Sequence, residues 1–433
     1  MALSQAAALL EKIVGHDINA ITEQDVTNPA RDRQKYADPS GETMKALCWM
    51  GKNTVQIQDV PKPRVVEDRD VILKVTGSTV CGSDLHLLHG SIVELEKGDI
   101  LGHEFCGEVE SIGPGVKGLQ KGDRVVASFQ IACGDCYYCE KKQSSQCEKT
   151  NSNTIADGMY GGRTAGMFGY SHFTGGFAGG QAEYVRVPYG DVNLLKLPPN
   201  VPDEKGLFLS DVICTSWNCV VDTGVEKGDV VAIWGAGPIG QMCAEFAFMN
   251  GASRVIMIDS NWRLDFVKSK IPKVELLDFS KLPRGTSVTA KLKEMVPRGP
   301  DVTLECVAGE YAKGWAHYFE LMLGMETDTS EIVNEMIASV KKLRSMRLME
   351  RGIRLIGNGQ APIHMYWEKL LEMIEKDEFD PLQMVSHRVS LDELDDVYYK
   401  FEKKEDGMQK VFVQTKFSAP AAPGSPNLTL YKQ

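Results

Sequence analysis

No stretch of this chain approaches 18 consecutive apolar residues, so no segment is expected to cross a membrane as a helix. Basic side chains are in deficit: 48 Lys and Arg stand against 59 Asp and Glu, a net charge of −11. That balance argues against a nucleic-acid surface, which needs concentrated Lys and Arg against phosphate. Cysteine is scarce and odd in number, 11 in 433 residues, which excludes a disulfide-built scaffold. The N-terminal 43 residues lack the basic, acid-poor character of a transit peptide or a secretory signal. Glu11, Asp17, Glu23, Asp25, Asp32, Asp38 and Glu42 outnumber Lys12, Arg31, Arg33 and Lys35 there. With no recognisable address at either end, the expected location is cytoplasmic. What is present is globular: 43% hydrophobic and 25% charged residues supply a sizeable core, and the length suits two or three domains.

Four of the cysteines are close in sequence. Cys133, Cys136, Cys139 and Cys147 form C-x2-C-x2-C-x7-C. Pairs two residues apart let short loops bring thiolates to one tetrahedral ion, and Gly134 and Asp135 supply the turn. An iron–sulfur run begins the same way, but its fourth cysteine follows after three residues and precedes proline; here the gap is seven and Glu148 follows. A closed four-cysteine zinc site is structural, because no coordination position remains for substrate.

A second constellation lies upstream: Cys81-Gly82-Ser83-Asp84-Leu85-His86, then Gly102-His103-Glu104. Each fragment alone is weak. Together they suggest a thiolate and an imidazole sharing a second metal with Glu104 adjacent, in an open site of three protein ligands. The third ligand must come from elsewhere, and Cys214 is one thiolate candidate.

Further on, Gly228 to Trp234 reads as a buried strand running into Gly235-Ala236-Gly237-Pro238-Ile239-Gly240 and a helix over 241–249. This is G-x-G-x-x-G in its proper setting, strand before and helix after. The first glycine permits the turn, the second admits the pyrophosphate, and the third lets helix and strand pack closely. The helix N-terminus then faces the phosphates. Asp259 ends the next strand, 19 residues beyond Gly240, placed to accept from ribose hydroxyls and to repel a 2′-phosphate. NAD is therefore expected over NADP. Arg263 could cover the adenine or the ribose, or stand solvated on the surface.

Zinc-ligand pairs, a four-cysteine lobe and a following dinucleotide fingerprint resemble the zinc-dependent medium-chain alcohol dehydrogenases. Gly179-Gly-Gln-Ala-Glu183-Tyr-Val-Arg-Val-Pro188 and Asn193-Leu-Leu-Lys-Leu-Pro198 are most similar to the glutathione-independent formaldehyde dehydrogenase branch. The resemblance covers roughly residues 44–417. It implies an α/β chain: a GroES-like β-barrel catalytic domain plus a doubly wound Rossmann coenzyme domain. The expected organisation is an N-terminal extension (1–43), the GroES-like domain (44–208), the Rossmann domain (209–357), a return to the catalytic domain (358–417) and a flexible tail (418–433). By the same resemblance, Cys81, His103 and Asp211 match the catalytic zinc ligands, Asp211 standing where many relatives have cysteine. Glu104 matches the neighbouring carboxylate, Ser83 the hydroxyl that accepts the substrate's proton, and His86 the imidazole that relays it to solvent. Cys133, Cys136, Cys139 and Cys147 match the structural zinc set. Two zinc ions per chain, NAD and a homodimer or homotetramer are implied.

The expected activity is oxidation of a small alcohol, or of an aldehyde through its hydrate, with a formaldehyde-type substrate favoured. The alternatives are a larger alcohol or polyol intermediate, or a zinc-binding homologue with impaired turnover. Nine glycines in 158–180 mark a loop that could shape the substrate mouth. The impaired reading draws on a count of strands. Strand-like runs occur at 230–234, 254–259, 273–279, 301–307 and 352–357, five where the dinucleotide fold usually has six. Between 307 and 352 the pattern is helical, with Ile332, Val333, Met336, Ile337, Val340 and Leu343 at three- and four-residue spacing. The resemblance calls for a strand after this helix, lining the nicotinamide. A sheet one strand short is expected, and with it weak coenzyme binding.

Overall fold

The computed structural model describes residues 29–30, 32–307, 330–342 and 353–431. Most of the N-terminal extension and most of the stretch between Val307 and Gly352 lie outside these residues. Contacts divide the chain into two units, one comprising residues 1–214 and 362–433, the other 215–361.

In the first unit the strands are β1 (Thr43–Gly51), β2 (Thr54–Pro61), β3 (Val71–Ser78), β4 (Phe105–Ile112), β5 (Arg124–Ala127), β6 (Gln130–Ile131), β7 (Gly166–Met167), β8 (Tyr184–Val187) and β9 (Leu194–Lys196). The second unit adds β10 (Val230–Trp234), β11 (Arg254–Asp259), β12 (Glu275–Asp278) and β13 (Val302–Glu305). The chain then returns to the first unit with β14 (Val385–Ser390) and β15 (Lys410–Gln414).

The main sheet of the first unit runs β14-β15-β3-β4-β5-β9, with β8 also on β3. β3 is therefore shared by three neighbours and is almost wholly buried along its length, as its apolar Val71, Ile72, Leu73 and Val75 require. β15 enters this sheet antiparallel to β3, so the last strand of the chain sits beside one of the first. Helix α1 (Gly82–Leu88) follows β3 after a short link. It turns Leu85, Leu87 and Leu88 into the core while Ser83 and His86 stay partly accessible. A short helix α2 (Tyr137–Glu140) lies within the four-cysteine lobe.

Helix α3 (Val212–Asp222) crosses the division between the units. In the second unit the sheet order is β12-β11-β10-β13, all parallel. This is the 3-2-1-4 portion of a dinucleotide-binding sheet. Helices α4 (Pro238–Met249), α5 (Trp262–Lys270), α6 (Val288–Met295) and α7 (Ser330–Ser339) accompany it. The helical spacing read from the sequence is present in α7, where Ile332 and Met336 are buried. The helix stops at Ser339, and the amide of Lys341 donates to the Pro300 carbonyl. The strand expected at 352–357 is not formed: residues 353–359 carry no regular structure, and Leu355 is 67% exposed. Apolar Ile353, Leu355 and Ile356 mimic a strand, but a strand needs a ladder partner, and these three have none among the described residues.

The return segment adds α8 (Ile363–Glu375) and α9 (Leu394–Lys403). Residues 418–431, expected to be loose, are tied down instead. Arg388 Nη2 donates to the Ala419 carbonyl, the Ala422 amide to Glu204 Oε1, the Thr429 amide to the Arg388 carbonyl and the Tyr431 amide to Glu393 Oε2. Composition could not show this, since the partners lie up to 218 residues away.

Candidate active site

Cys81 lies where β3 has ended and α1 begins, and His103 and Glu104 immediately precede β4. β3 and β4 pair antiparallel from Val71–Ile112 to Ser78–Phe105. Their register carries the residues after β3 and before β4 to the same end of the sheet. Asp211 arrives from the turn before α3. One donor atom each from Cys81, His103, Glu104 and Asp211 lies within 4.8 Å of the others. His103 Nε2 is 3.6 Å from Asp211 Oδ2 and 3.8 Å from Glu104 Oε1. The other thiolate candidate, Cys214, is turned away: its thiol donates to the Leu209 carbonyl at 3.2 Å.

Around these four lies a layer of groups that single-motif reading did not assign. Asp84 Oδ1 stands 3.4 Å from His103 Nδ1, while its Oδ2 accepts from the Cys81 amide at 2.9 Å and from Gln181 Nε2 at 3.2 Å. Gln181 Oε1 in turn accepts from the Tyr398 hydroxyl at 2.6 Å. A carboxylate behind the far nitrogen of a ligating histidine fixes its tautomer and its ring plane. Glu104, fully buried, is paired with the equally buried Lys410 of β15. Tyr170, from the glycine-rich loop, packs edge-on to the His103 ring at 5.4 Å between centroids and hydrogen-bonds Ser83. Phe129 lies at 6.2 Å from the same ring. An aromatic residue inside a run of glycines was the one available sign of Tyr170.

The electrostatics ask for a cation here. Burial alone would push the His103 pKa down, yet the Asp84 and Asp211 carboxylates hold it well above the ordinary histidine value. Burial likewise raises Glu104, against the pull of Lys410. Glu104 Oε2 is buried with no hydrogen-bond partner among the described residues. One thiolate, one imidazole and one carboxylate form a fitting zinc donor set, with Glu104 beside it.

The four-cysteine lobe is equally well suited. Cys133, Cys136, Cys139 and Cys147 come within 4.8 Å of one another, and Cys133 and Cys139 sulfurs are 3.8 Å apart. A tetrahedron with metal–sulfur bonds of about 2.3 Å has edges of about 3.8 Å. Thiol donation from Cys133 and Cys139 holds Cys147 well below the usual thiol range.

In the second unit the fingerprint forms the turn between β10 and α4. Gly235 has φ +99°, and a Cβ there would sit 2.6 Å from the Cys306 carbonyl. At Gly240 a Cβ would meet the Gly235 carbonyl at 2.0 Å, so helix and turn close only on glycine. Pro238 opens α4, where a missing amide hydrogen costs nothing, and Ile239 follows it in the first turn. Asp259, at the end of β11, accepts from the Ala236 amide at 2.7 Å and from the Ser260 amide at 2.6 Å. Arg263 Nη1 is 3.6 Å from the Asp259 carboxylate, so this arginine is paired rather than simply solvated.

A GroES-like barrel holding such a donor set, with a Rossmann sheet in the same chain, defines the class of zinc-dependent medium-chain alcohol dehydrogenase-like oxidoreductases. Residues 67–199 match the alcohol dehydrogenase GroES-like domain family. A zinc-type alcohol dehydrogenase-like protein of Schizosaccharomyces pombe is 37% identical over 398 residues, 88% of this chain and 93% of its own length. Glutathione-independent formaldehyde dehydrogenase of Pseudomonas aeruginosa is 36% identical over 286 residues, 63% of this chain and 67% of that protein. Among solved structures, alcohol dehydrogenase TADH from Thermus sp. ATN1 matches with a TM-score of 0.68 at 30% identity, over 86% of this chain and all of that one. The chain belongs to the zinc-type alcohol dehydrogenase-like family.

Proposed function

We propose that this chain is an NAD-linked dehydrogenase that oxidises a small alcohol or an aldehyde hydrate, with a formaldehyde-type substrate favoured. The observation that carries the reading is the convergence of Cys81, His103 and Asp211, with Asp84 behind His103 and Ser83 hydrogen-bonded to Tyr170, which packs on the His103 ring. A zinc ion held by those three ligands would supply Lewis-acid polarisation of the substrate oxygen. The remaining chemistry belongs to the protein's own residues. Ser83 accepts the substrate's hydroxyl proton and His86, three residues on along α1, passes it to solvent. NAD held at the fingerprint turn would supply the hydride acceptor for oxidation of an alcohol to an aldehyde, or of a hydrate to an acid. Asp84 keeps His103 in one orientation. The N-terminus of α4 would receive the pyrophosphate, and Asp259 would accept from the ribose hydroxyls.

Small substrates are favoured because the Tyr170 and Phe129 rings crowd the His103 side of the site. The relative named as a glutathione-independent formaldehyde dehydrogenase supports the same choice. The four cysteines of the lobe would hold a second, structural zinc ion. The test is zinc-loaded protein with NAD and a panel of formaldehyde, primary, secondary and polyhydric alcohols, followed by NADH absorbance. Formaldehyde is expected to give kcat/KM at least tenfold above propan-2-ol and the polyols; a polyol or secondary alcohol at the top would overturn the substrate assignment. Metal analysis checks the sites separately: Cys136→Ser and His103→Ala should each release one zinc equivalent, and only the first should impair folding.

A further inference from the structure

A third group of thiols lies in the second unit, away from both zinc sites. Cys219 is on α3, Cys243 on α4, and Cys306 just beyond the end of β13. They are 24 and 63 residues apart in sequence, yet their sulfurs lie within 4.8 Å of one another. Cys243 and Cys306 sulfurs are 3.9 Å apart, almost the 3.8 Å found between Cys133 and Cys139. None is disulfide-bonded.

We propose that Cys219, Cys243 and Cys306 form a third metal site, a three-thiolate cup for a soft divalent cation such as zinc, with the fourth position open to solvent. Three sulfurs about 2.3 Å from one ion stand about 3.8 Å apart in a tetrahedral arrangement and about 4 Å in a planar one, which brackets the observed separation. Thiolates alone select thiophilic metals and reject magnesium and calcium. Charge favours a divalent ion: three thiolates with a divalent cation leave one net negative charge, against two with a monovalent ion, and each uncompensated charge is costly beside a buried sulfur. Cys243 is fully buried at the base, while Cys219 and Cys306 are partly accessible, so the cup opens on one side.

The setting gives the site a consequence. The Cys306 carbonyl abuts Gly235 of the fingerprint, and the Cys306 amide donates to the Trp234 carbonyl at 2.8 Å. Cys243 lies one turn beyond Gly240 on the helix that faces the pyrophosphate. A bound ion therefore ties α3 and α4 to the chain leaving β13, on the elements that form the coenzyme turn.

Cadmium is the direct probe, because its thiolate complexes absorb in the ultraviolet. The reduced, zinc-loaded full-length protein is titrated with cadmium, alongside Cys219→Ser and Cys306→Ser, both isosteric changes at partly accessible positions. Bound metal is counted after gel filtration, and circular dichroism checks the fold. The expected result is three metal equivalents in the parent and two in each variant, with the thiolate-to-cadmium absorption reduced to match. Equal metal content in parent and folded variants would overturn the site. So would a parent that never exceeds two equivalents with all three thiols titrating as free. The count is independent of turnover, so failure of the dehydrogenase reading would leave this result standing.

Discussion

At the scale of single residues, the two carboxylates flanking the chemistry act in opposite ways. Asp84 is a positioning residue: it touches His103 and the Cys81 amide, never the reacting carbon. Asp259, in the proposed function, accepts from the coenzyme itself. Its oxygens accept two amide hydrogens, which aims the carboxylate into the fingerprint turn. A 2′-phosphate there meets like charge at partial burial. Asp259→Ser should therefore shift the NAD-to-NADP ratio of kcat/KM by about one to two decades toward NADP, with Arg263 released to pair with the phosphate. An unchanged ratio would remove Asp259 from the specificity argument. Asp259 was legible because the fingerprint spacing is local. Asp84 was not, because a carboxylate within a short motif shows its target only once β3 and β4 are paired.

At the scale of elements, the C-terminal return decides how firmly the site is held. β15 delivers Lys410 to Glu104, 306 residues away, and both side chains are at most 2% exposed. Burial alone would lower the Lys410 pKa, but Glu104 holds it above the usual lysine value. Lys410→Met should cost about 3–5 kcal/mol in chemical denaturation, because it strands a buried carboxylate. Adding Glu104→Gln should recover more than half of that loss, and failure to recover would mean that packing, not charge, dominates. α8 offers a pH test. Burial pushes His364 down to about 4. A histidine kept neutral in the fold contributes stability above pH ~6.5 that is lost as pH falls toward ~4, because the unfolded chain takes up the proton first. Between pH 7.5 and 5, the parent should lose about 2 kcal/mol more than His364→Phe, read from denaturation midpoints at the two pH values.

At the scale of the whole molecule, the described sheet of the second unit stops at β13, giving the 3-2-1-4 portion of a fold that usually has six strands. The elements proposed to bind the adenylate half, the fingerprint turn, α4 and Asp259, are all present. The walls contributed by later strands are absent among the described residues. NADH is therefore expected to bind no more than about threefold tighter than ADP-ribose, a difference below 1 kcal/mol in parallel calorimetric titrations. A tenfold or greater advantage for NADH would show that the nicotinamide has a complete pocket.

The sequence alone determined what local spacing determines. The four-cysteine lobe and the glycine fingerprint each need residues within a span of about one supersecondary unit, so their chemistry could be read from intervals. The tertiary structure decided everything that depends on distant elements meeting. It placed Lys410 on Glu104 and Tyr170 on His103, anchored residues 418–431, and gathered Cys219, Cys243 and Cys306. It also left residues 353–357 without regular structure, although their apolar side chains had suggested a strand. The reason is common to all of these: side-chain periodicity is encoded locally, but the partner that satisfies a buried charge, a thiol or a backbone amide is chosen only when the sheets have closed.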